Sequence, residues 1–474
     1  MTRPPTPALL ARLADLLGPK GFSIDPDVLA PWLTDWRGKY HGKAAAMLSP
    51  ATTEEAAAVV ALCAAEGVAL VPQGGNSGMV GGATPDASGD QLLLSLRRMN
   101  RIRRIDAPAQ IMIAEAGVIL EHLHHAALDQ GLRFPLTLGG KGSATVGGLV
   151  STNAGGTQVL RHGTMRALVA GVEAVLPDGS IFDGLAPLKK DNRGYDLRHL
   201  LCGAEGTLAI VTAASLHLVP AAAARQTAWI GLQSPDDALV LLRRLDAALG
   251  DVLEGFEIIP HRSLEAVLRH IPQTRQPLGT ASPWYALVEL AGNDSEALGR
   301  GLEDELTKAI ETGLAEDAAI AKSDRESDDF WRLRDSISEA ERAEGPALQH
   351  DVSVPVDLMP RFIADNPARL ATAFPGIRTV SFGHLGDGNI HHHVQPPQGV
   401  DAAAWLAEHG LEASRIVYTH VVELGGSISA EHGIGQMKRD MLAALDSPAR
   451  LAALRAIKAG LDPAGLFNPG KLIG

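Results

Sequence analysis

The sequence predicts an α+β protein of more than one domain, and three observations carry that reading. Residues 52–67, TTEEAAAVVALCAAEG, form a helix opened by a capping box of Thr52 and Glu55 and stopped at Gly67, and they run straight into the apolar stretch VALVP. Between residues 227 and 312 strand-like and helical segments succeed one another in an order that resembles a split βαβ sheet with helices on one face. The chain of 474 residues is longer than one core usually organises, and a composition of 46% hydrophobic residues with 50 glycines and 29 prolines is that of an ordered chain with many turns.

At the N-terminus, MTRPPTPALLARLADLLG has prolines where a signal peptide has its apolar run, and no uninterrupted 18-residue apolar segment follows, so neither secretion nor membrane spanning is expected. After the 52–67 helix, LLLSL, IMIAEAGV and VAGVEAVLPDGS read as further strands, and VPAAAARQ at 219–226 reads as a linker. Strand TAWIGLQ, a helix starting at Ser234-Pro235, strands LEGFEII and WYALVELAG and a helix over 295–312 come next. Helices over 401–424 and 436–459 lead into GLFNPGKLIG, which has too many breakers to be helical. The domains expected are 1–220 and 221–425, with 426–474 as a C-terminal segment that completes the active site.

A formal charge of −13 argues against a nucleic-acid partner, since phosphate binding relies on Lys and Arg. A small-molecule partner is expected instead. Two cysteines, Cys63 and Cys202, both in apolar surroundings, can form neither a metal cage nor a disulfide framework, and they suit a reducing cytoplasm.

The first chemical signal is a pair of glycine-rich segments. VPQGGNSGMVGG (71–82) has five glycines in twelve residues and LGGKGSATVGGLVSTNAGG (138–156) has seven in nineteen. Glycine lets backbone N–H groups curl around an anion, forming a nest for phosphate oxygens, although each segment alone also reads as an ordinary long turn. Neither holds G-x-G-x-x-G leading into an amphipathic helix, nor a P-loop.

In order and spacing, PQGGNSGMVGG, GGKGSATVGGLVSTNAGG, LKKDNRGYDLRHLLCGAEGTLAIVT, GHLGDGNIH and SAEHGIG resemble the FAD-dependent D-2-hydroxyacid dehydrogenases, most closely those acting on D-2-hydroxyglutarate, over about residues 40–474. The resemblance implies a p-cresol methylhydroxylase-type FAD-binding domain, a ferredoxin-like-sheet substrate domain of the FAD-linked oxidase C-terminal type, and C-terminal helices. It assigns the FAD pyrophosphate to Gly74, Gly75, Asn76, Ser77, Gly78 and Gly81, and the isoalloxazine and ribityl parts to Gly142, Ser143, Thr145, Gly148, Thr152, Asn153 and Gly155. Pro72, Leu138, Glu205 and Asn468 join this cofactor set. Some relatives attach flavin through a histidine of the first loop; none lies between Val71 and Gly82, so non-covalent FAD is expected.

The stretch GHLGDGNIHHHV (383–394) holds four histidines around an Asp387-Gly388 pair suited to a two-residue type I′ turn. That turn sets Gly386 opposite Asn389, Leu385 opposite Ile390 and His384 opposite His391, with the last two about 4.5–5.5 Å apart at Cβ. Facing imidazoles suit one borderline divalent metal, or else belong to an exposed polar hairpin. His393 shares their face, and His392 points away as a packed or solvated residue without a catalytic part. Family analogy makes Glu431 of SISAEHGIG the third ligand of Zn2+ or another divalent metal and His432 the base; read alone, AEHGIG is a helix-end turn. In FWRLRDSIS, Arg334 and Ser338 lie four apart and so share a helix face.

In relatives that oxidise diacids, an Arg and a Thr so placed hold the substrate carboxylates with a Lys fifteen residues on, where this chain has Gln349. A frequent Asn is replaced by His393. The implied activity is oxidation of D-2-hydroxyglutarate to 2-oxoglutarate, with D-lactate or glycolate as alternative substrates. The electron acceptor implied is an electron-transfer flavoprotein, a quinone or a cytochrome, and a homodimer is allowed. A metal-dependent hydrolase would leave the glycine loops unexplained, and a non-catalytic flavin-binding protein would leave the metal site without use.

Overall fold

The structure, a computed structural model, describes residues 2–473 and divides into two compact units: the first comprises residues up to 156, 163–221 and from 431 on, the second residues 157–162 and 222–430. In the first unit the helix Thr53–Glu66 begins and ends where its caps place it. The Thr52 hydroxyl accepts the Glu55 N–H at 3.2 Å, the Glu55 carboxylate accepts the Ala51 N–H at 2.7 Å, and Gly67 closes the helix at φ +72°. Cys63, on its inner face, is buried, which pushes the thiol up to about 12 with the help of Glu66.

This unit holds two larger sheets. Phe22–Ser23, Ala46–Leu48, Leu92–Ser95 and Leu70–Gln73 form one, with its last three strands parallel. Ile102–Asp106, Ile111–Glu115, Ile210–His217, Val169–Val175 and Ile181–Gly184 form the other, antiparallel throughout. The final run of the chain is irregular, as its Gly and Pro require, and it extends the first sheet. Leu70 N–H donates to Leu466 at 2.8 Å and Asn468 N–H donates to Leu70 at 2.8 Å, so Phe467 drops fully buried into the core around Leu48, Val60, Leu70 and Leu94. The expected helix over 436–459 is two helices, Arg439–Leu445 and Pro448–Leu461. Pro448 cannot donate within a helix, and Ser447 caps the second one instead.

The second unit is built on a seven-stranded sheet whose neighbours are all antiparallel. Asp317–Ile320, Ala224–Leu232, Trp284–Gly292 and Leu253–Pro260 give the spatial order of a ferredoxin-like split βαβ sheet, and Arg378–His384, Asn389–Gln395 and Leu348–Ser353 continue it. Helices cover both faces rather than the one expected. His261–His270, Asp324–Asp335 and Ile337–Ala343 pack on the face that carries Trp229, Ile259, Leu287 and Phe382. On the opposite face a Cβ at Gly292 would meet Leu298 of the helix Ser295–Glu311 at 3.4 Å. Arg334 and Ser338, expected on one helix, lie on consecutive helices divided at Ser336. No described helix is long and apolar enough to cross a membrane.

Phe467→Ala removes the fully buried ring that ties the chain end to the first sheet. Urea unfolding followed by tryptophan fluorescence is expected to show a loss of about 3–5 kcal/mol.

Candidate functional site

The two glycine-rich loops interlock in the first unit, and the lack of side chains is what permits it. A Cβ at Gly74 would lie 2.2 Å from the Thr145 hydroxyl, one at Gly75 would lie 1.8 Å from the Ser143 carbonyl, and one at Gly206 would lie 2.4 Å from Cγ of Pro72. Gly81 takes φ +68° under the Tyr40 ring, and Asn76 takes φ +53°. On the open side nothing lies within 4 Å of a Cβ built at Gly78 or Gly139. Of the other expected cofactor residues, Leu138 and Ser77 flank Gly140, Gly142 approaches Glu121, and Gly155 is buried. The Thr152 hydroxyl bonds back to Gly148. Asn76 spends its side chain on the Thr34 carbonyl, and Asn153 spends its own on Thr164 and the Arg166 N–H, so both shape the loops through their side chains.

The segment that carries His432 is stitched to these loops. The buried Glu205 carboxylate accepts N–H bonds from Ile434 and Gly435, both at 2.7 Å, and burial raises its pKa against the pull of those donors. Gln436 donates to Gly81 and Thr84, while Asn468 Nδ2 donates to Gly82 and to the Glu205 carbonyl. Glu205 and Asn468 therefore brace the cradle. Two buried oxygens, Thr145 Oγ1 and Asn468 Oδ1, have no hydrogen-bond partner among the described residues. A cradle of bare backbone with unanswered polar atoms fits a phosphate-bearing cofactor such as FAD.

In the second unit the hairpin corrects the expected register by two residues. His384 pairs with Asn389 and Phe382 with His391, because the turn takes four residues, 385–388, closed by Gly388 N–H to the His384 carbonyl at 3.0 Å. Leu385, inside the turn, is wholly buried. A shift of two preserves the faces, so His384 and His391 become diagonal neighbours with ring centroids 5.4 Å apart. Glu431 follows directly on Ala430, the last residue of this unit. Among the described residues, His384, His391 and Glu431 form a group whose possible ligand atoms all lie within 4.8 Å of one another. Two imidazoles and one carboxylate fit a divalent ion and leave coordination positions open.

Sequence reasoning missed the residues behind these candidate ligands. Glu257, cross-strand from His384, accepts from His384 Nδ1 at 2.5 Å and from Arg334 Nε at 2.7 Å. Burial alone would raise its pKa, but Arg334 and His384 hold it below the ordinary carboxylate range. Arg334 is itself buried, with Nη2 3.4 Å from His384 Nε2. Asp351 stands 3.9 Å from His391 Nδ1 and is held by Asn389 at 2.8 Å. The available signal was carboxylates inside strand-like runs, LEGFEII and HDVSV. Gln349 pairs with His393 in the next row of the same face, and His393 packs edge-on to Phe382. His392 is packed on the other face, bonded to Asn366 and Ser381, both at 2.8 Å, and burial holds it neutral. Ser338 is half-buried, and His432 is half-buried on an irregular segment.

Residues 221–472 match the FAD-linked oxidase C-terminal domain and residues 44–184 match an FAD binding domain. The chain is 37% identical to a mitochondrial D-2-hydroxyglutarate dehydrogenase of Arabidopsis thaliana over 97% of this chain and 80% of that one. It is also 37% identical to a D-2-hydroxyglutarate dehydrogenase of Xanthomonas citri over 95% of this chain and 94% of that one. A solved structure of p-cresol methylhydroxylase shares the fold, with a TM-score of 0.74 at 16% identity over 98% of this chain and 96% of that one.

Because His392 is fully buried with two side-chain hydrogen bonds, His392→Ala is expected to destabilise the protein by about 2–4 kcal/mol in urea unfolding. The metal content of the folded fraction, by elemental analysis, should stay unchanged. His391→Ala should show the reverse pattern, with metal lost and stability nearly kept.

Proposed function

This chain belongs to the FAD-linked oxidases, and on that premise we propose that it oxidises a D-2-hydroxyacid, with D-2-hydroxyglutarate the preferred substrate, and passes the electrons to an acceptor other than NAD. The observation that carries the reading is the group of His384, His391 and Glu431, which offers an open chelation site in a chain that also carries the glycine cradle. The relatives' printed names supply the substrate class.

Bound FAD supplies the hydride acceptor, and a divalent ion such as Zn2+ supplies the charge that acidifies an α-hydroxyl. Within the protein, His384, His391 and Glu431 hold the ion, and His432 takes the hydroxyl proton, since imidazole titrates near working pH. Arg334, with Ser338 near it in sequence, reads a second carboxylate. Gln349 and His393, paired across the sheet on the face of the metal ligands, line the substrate's far end. Gln349 hydrogen-bonds there without charge, and a charge-assisted bond is about twice as strong, so discrimination between diacid and monoacid rests mainly on Arg334. An electron-transfer flavoprotein, a quinone or a cytochrome takes the electrons onward. The two thiols suit a cytoplasmic location, while the plant relative's name places that protein in mitochondria.

Anaerobic mixing with a panel of 2-hydroxyacids tests the reading: D-2-hydroxyglutarate should bleach the flavin and its L-isomer should not, and bleaching by D-lactate or glycolate alone would replace the substrate. Acid precipitation should release intact FAD into the supernatant. His432→Ala should slow flavin reduction by about 10²–10⁴-fold with FAD and metal retained. Gln349→Lys should raise kcat/KM for the diacid more than for D-lactate, measured with an artificial electron acceptor.

A further inference from the structure

We propose that Glu257 is a positioning residue that couples metal loading to carboxylate recognition, because its two oxygens hold the metal ligand His384 and the substrate-reading Arg334 at once. The inference rests on the functional reading above. Oε1 takes the proton-bearing Nδ1 of His384 at 2.5 Å, which makes Nε2 the unprotonated, accepting nitrogen. Oε2 takes Nε of Arg334 at 2.7 Å, which turns the Nη end of the guanidinium toward His384, with Nη2 at 3.4 Å from that same Nε2.

One lone pair cannot serve both a metal and an arginine N–H. An ion held at Nε2 would displace Nη2 from that nitrogen, while the Glu257 bond to Nε would keep the guanidinium anchored beside it, where it could turn toward a substrate carboxylate. Loading the metal thus readies the arginine. Two opposite effects on metal affinity follow: Glu257 strengthens it by orienting His384 and raising its basicity, and Arg334 weakens it by competing for the nitrogen and by its charge.

The test is titration of the FAD-loaded, metal-stripped protein with Co2+, read by the visible d–d absorption of the bound ion. Glu257→Gln, which keeps shape and volume, should weaken Co2+ binding by about 10–100-fold, and Arg334→Gln should tighten it by at least about fivefold. Unchanged affinity in Glu257→Gln, or weakening in both variants, overturns the inference. If the wild-type protein binds no Co2+, the metal reading falls and takes the inference with it; if it binds Co2+ and only the variants misbehave, the inference alone falls. A measurement on the wild-type chain covers variants that do not fold. Long-range 15N spectra of histidine-labelled, metal-stripped protein should show His384 protonated at Nδ1, and the Nε2–H tautomer would refute the proposal.

Discussion

A carboxylate taken out of water costs several kcal/mol unless its partners answer it, and Glu257 imposes that condition on the whole second unit. Its oxygens are satisfied by Arg334 and His384, which come from a helix and from a strand far apart in the chain. The strand Leu253–Pro260 must therefore lie beside Arg378–His384 in the register that opposes Glu257 to His384. The helix Asp324–Asp335 must turn Arg334 inward. The same helix face carries Ser327 and Trp331, bonded to Thr227 at 2.5 Å and to Glu289 at 2.6 Å. A stripe of hydrogen bonds thus sets the helix's rotation, where apolar packing alone would tolerate small slips.

Glu205 does the corresponding work in the first unit. It lies at φ +50°, a costly conformation for a residue with a Cβ, and its carboxylate collects the N–H groups of Ile434 and Gly435. The contact draws the AEHGIG segment onto the glycine loops, and glycine is needed at 433 and 435 because a Cβ there would come within 2.9 Å of Glu205 and 2.3 Å of the Val80 carbonyl. Each unit thus presents its functional segment by means of one buried carboxylate rather than by a rigid helix or strand alone.

The hairpin shows how a site tolerates an error of local reasoning. A turn of four residues and a turn of two differ in which residues face each other, yet both keep the alternation that puts His384, His391 and His393 on one face and His392 on the other. His392 in turn secures the strand from behind. It is bonded to Asn366 and Ser381, its carbonyl accepts from His350 at 3.1 Å, and Phe362 packs edge-on against it. The buried His392 thereby helps to hold the strand that carries the candidate ligand His391.

What the sequence determined by itself was much of what short-range geometry dictates. The capped helix at 53–66, the succession of strands and helices in the ferredoxin-like half and the irregular chain end follow from caps, alternation and breakers, which act over a few residues. The faces of the hairpin follow from the two-residue period of a strand. The motifs also sufficed for the family, since long glycine-rich and histidine-bearing segments in one order leave few alternatives. Tertiary structure alone decided the hairpin register, the break at Ser336, the helices on both faces and above all the partners of Arg334. Leu385 lies in the turn and is wholly buried there, and Arg334 meets Glu257, 77 residues away in sequence, because two distant elements bury their charges together. Such choices are made by the cost of burying a group over the whole molecule, which no window of sequence contains.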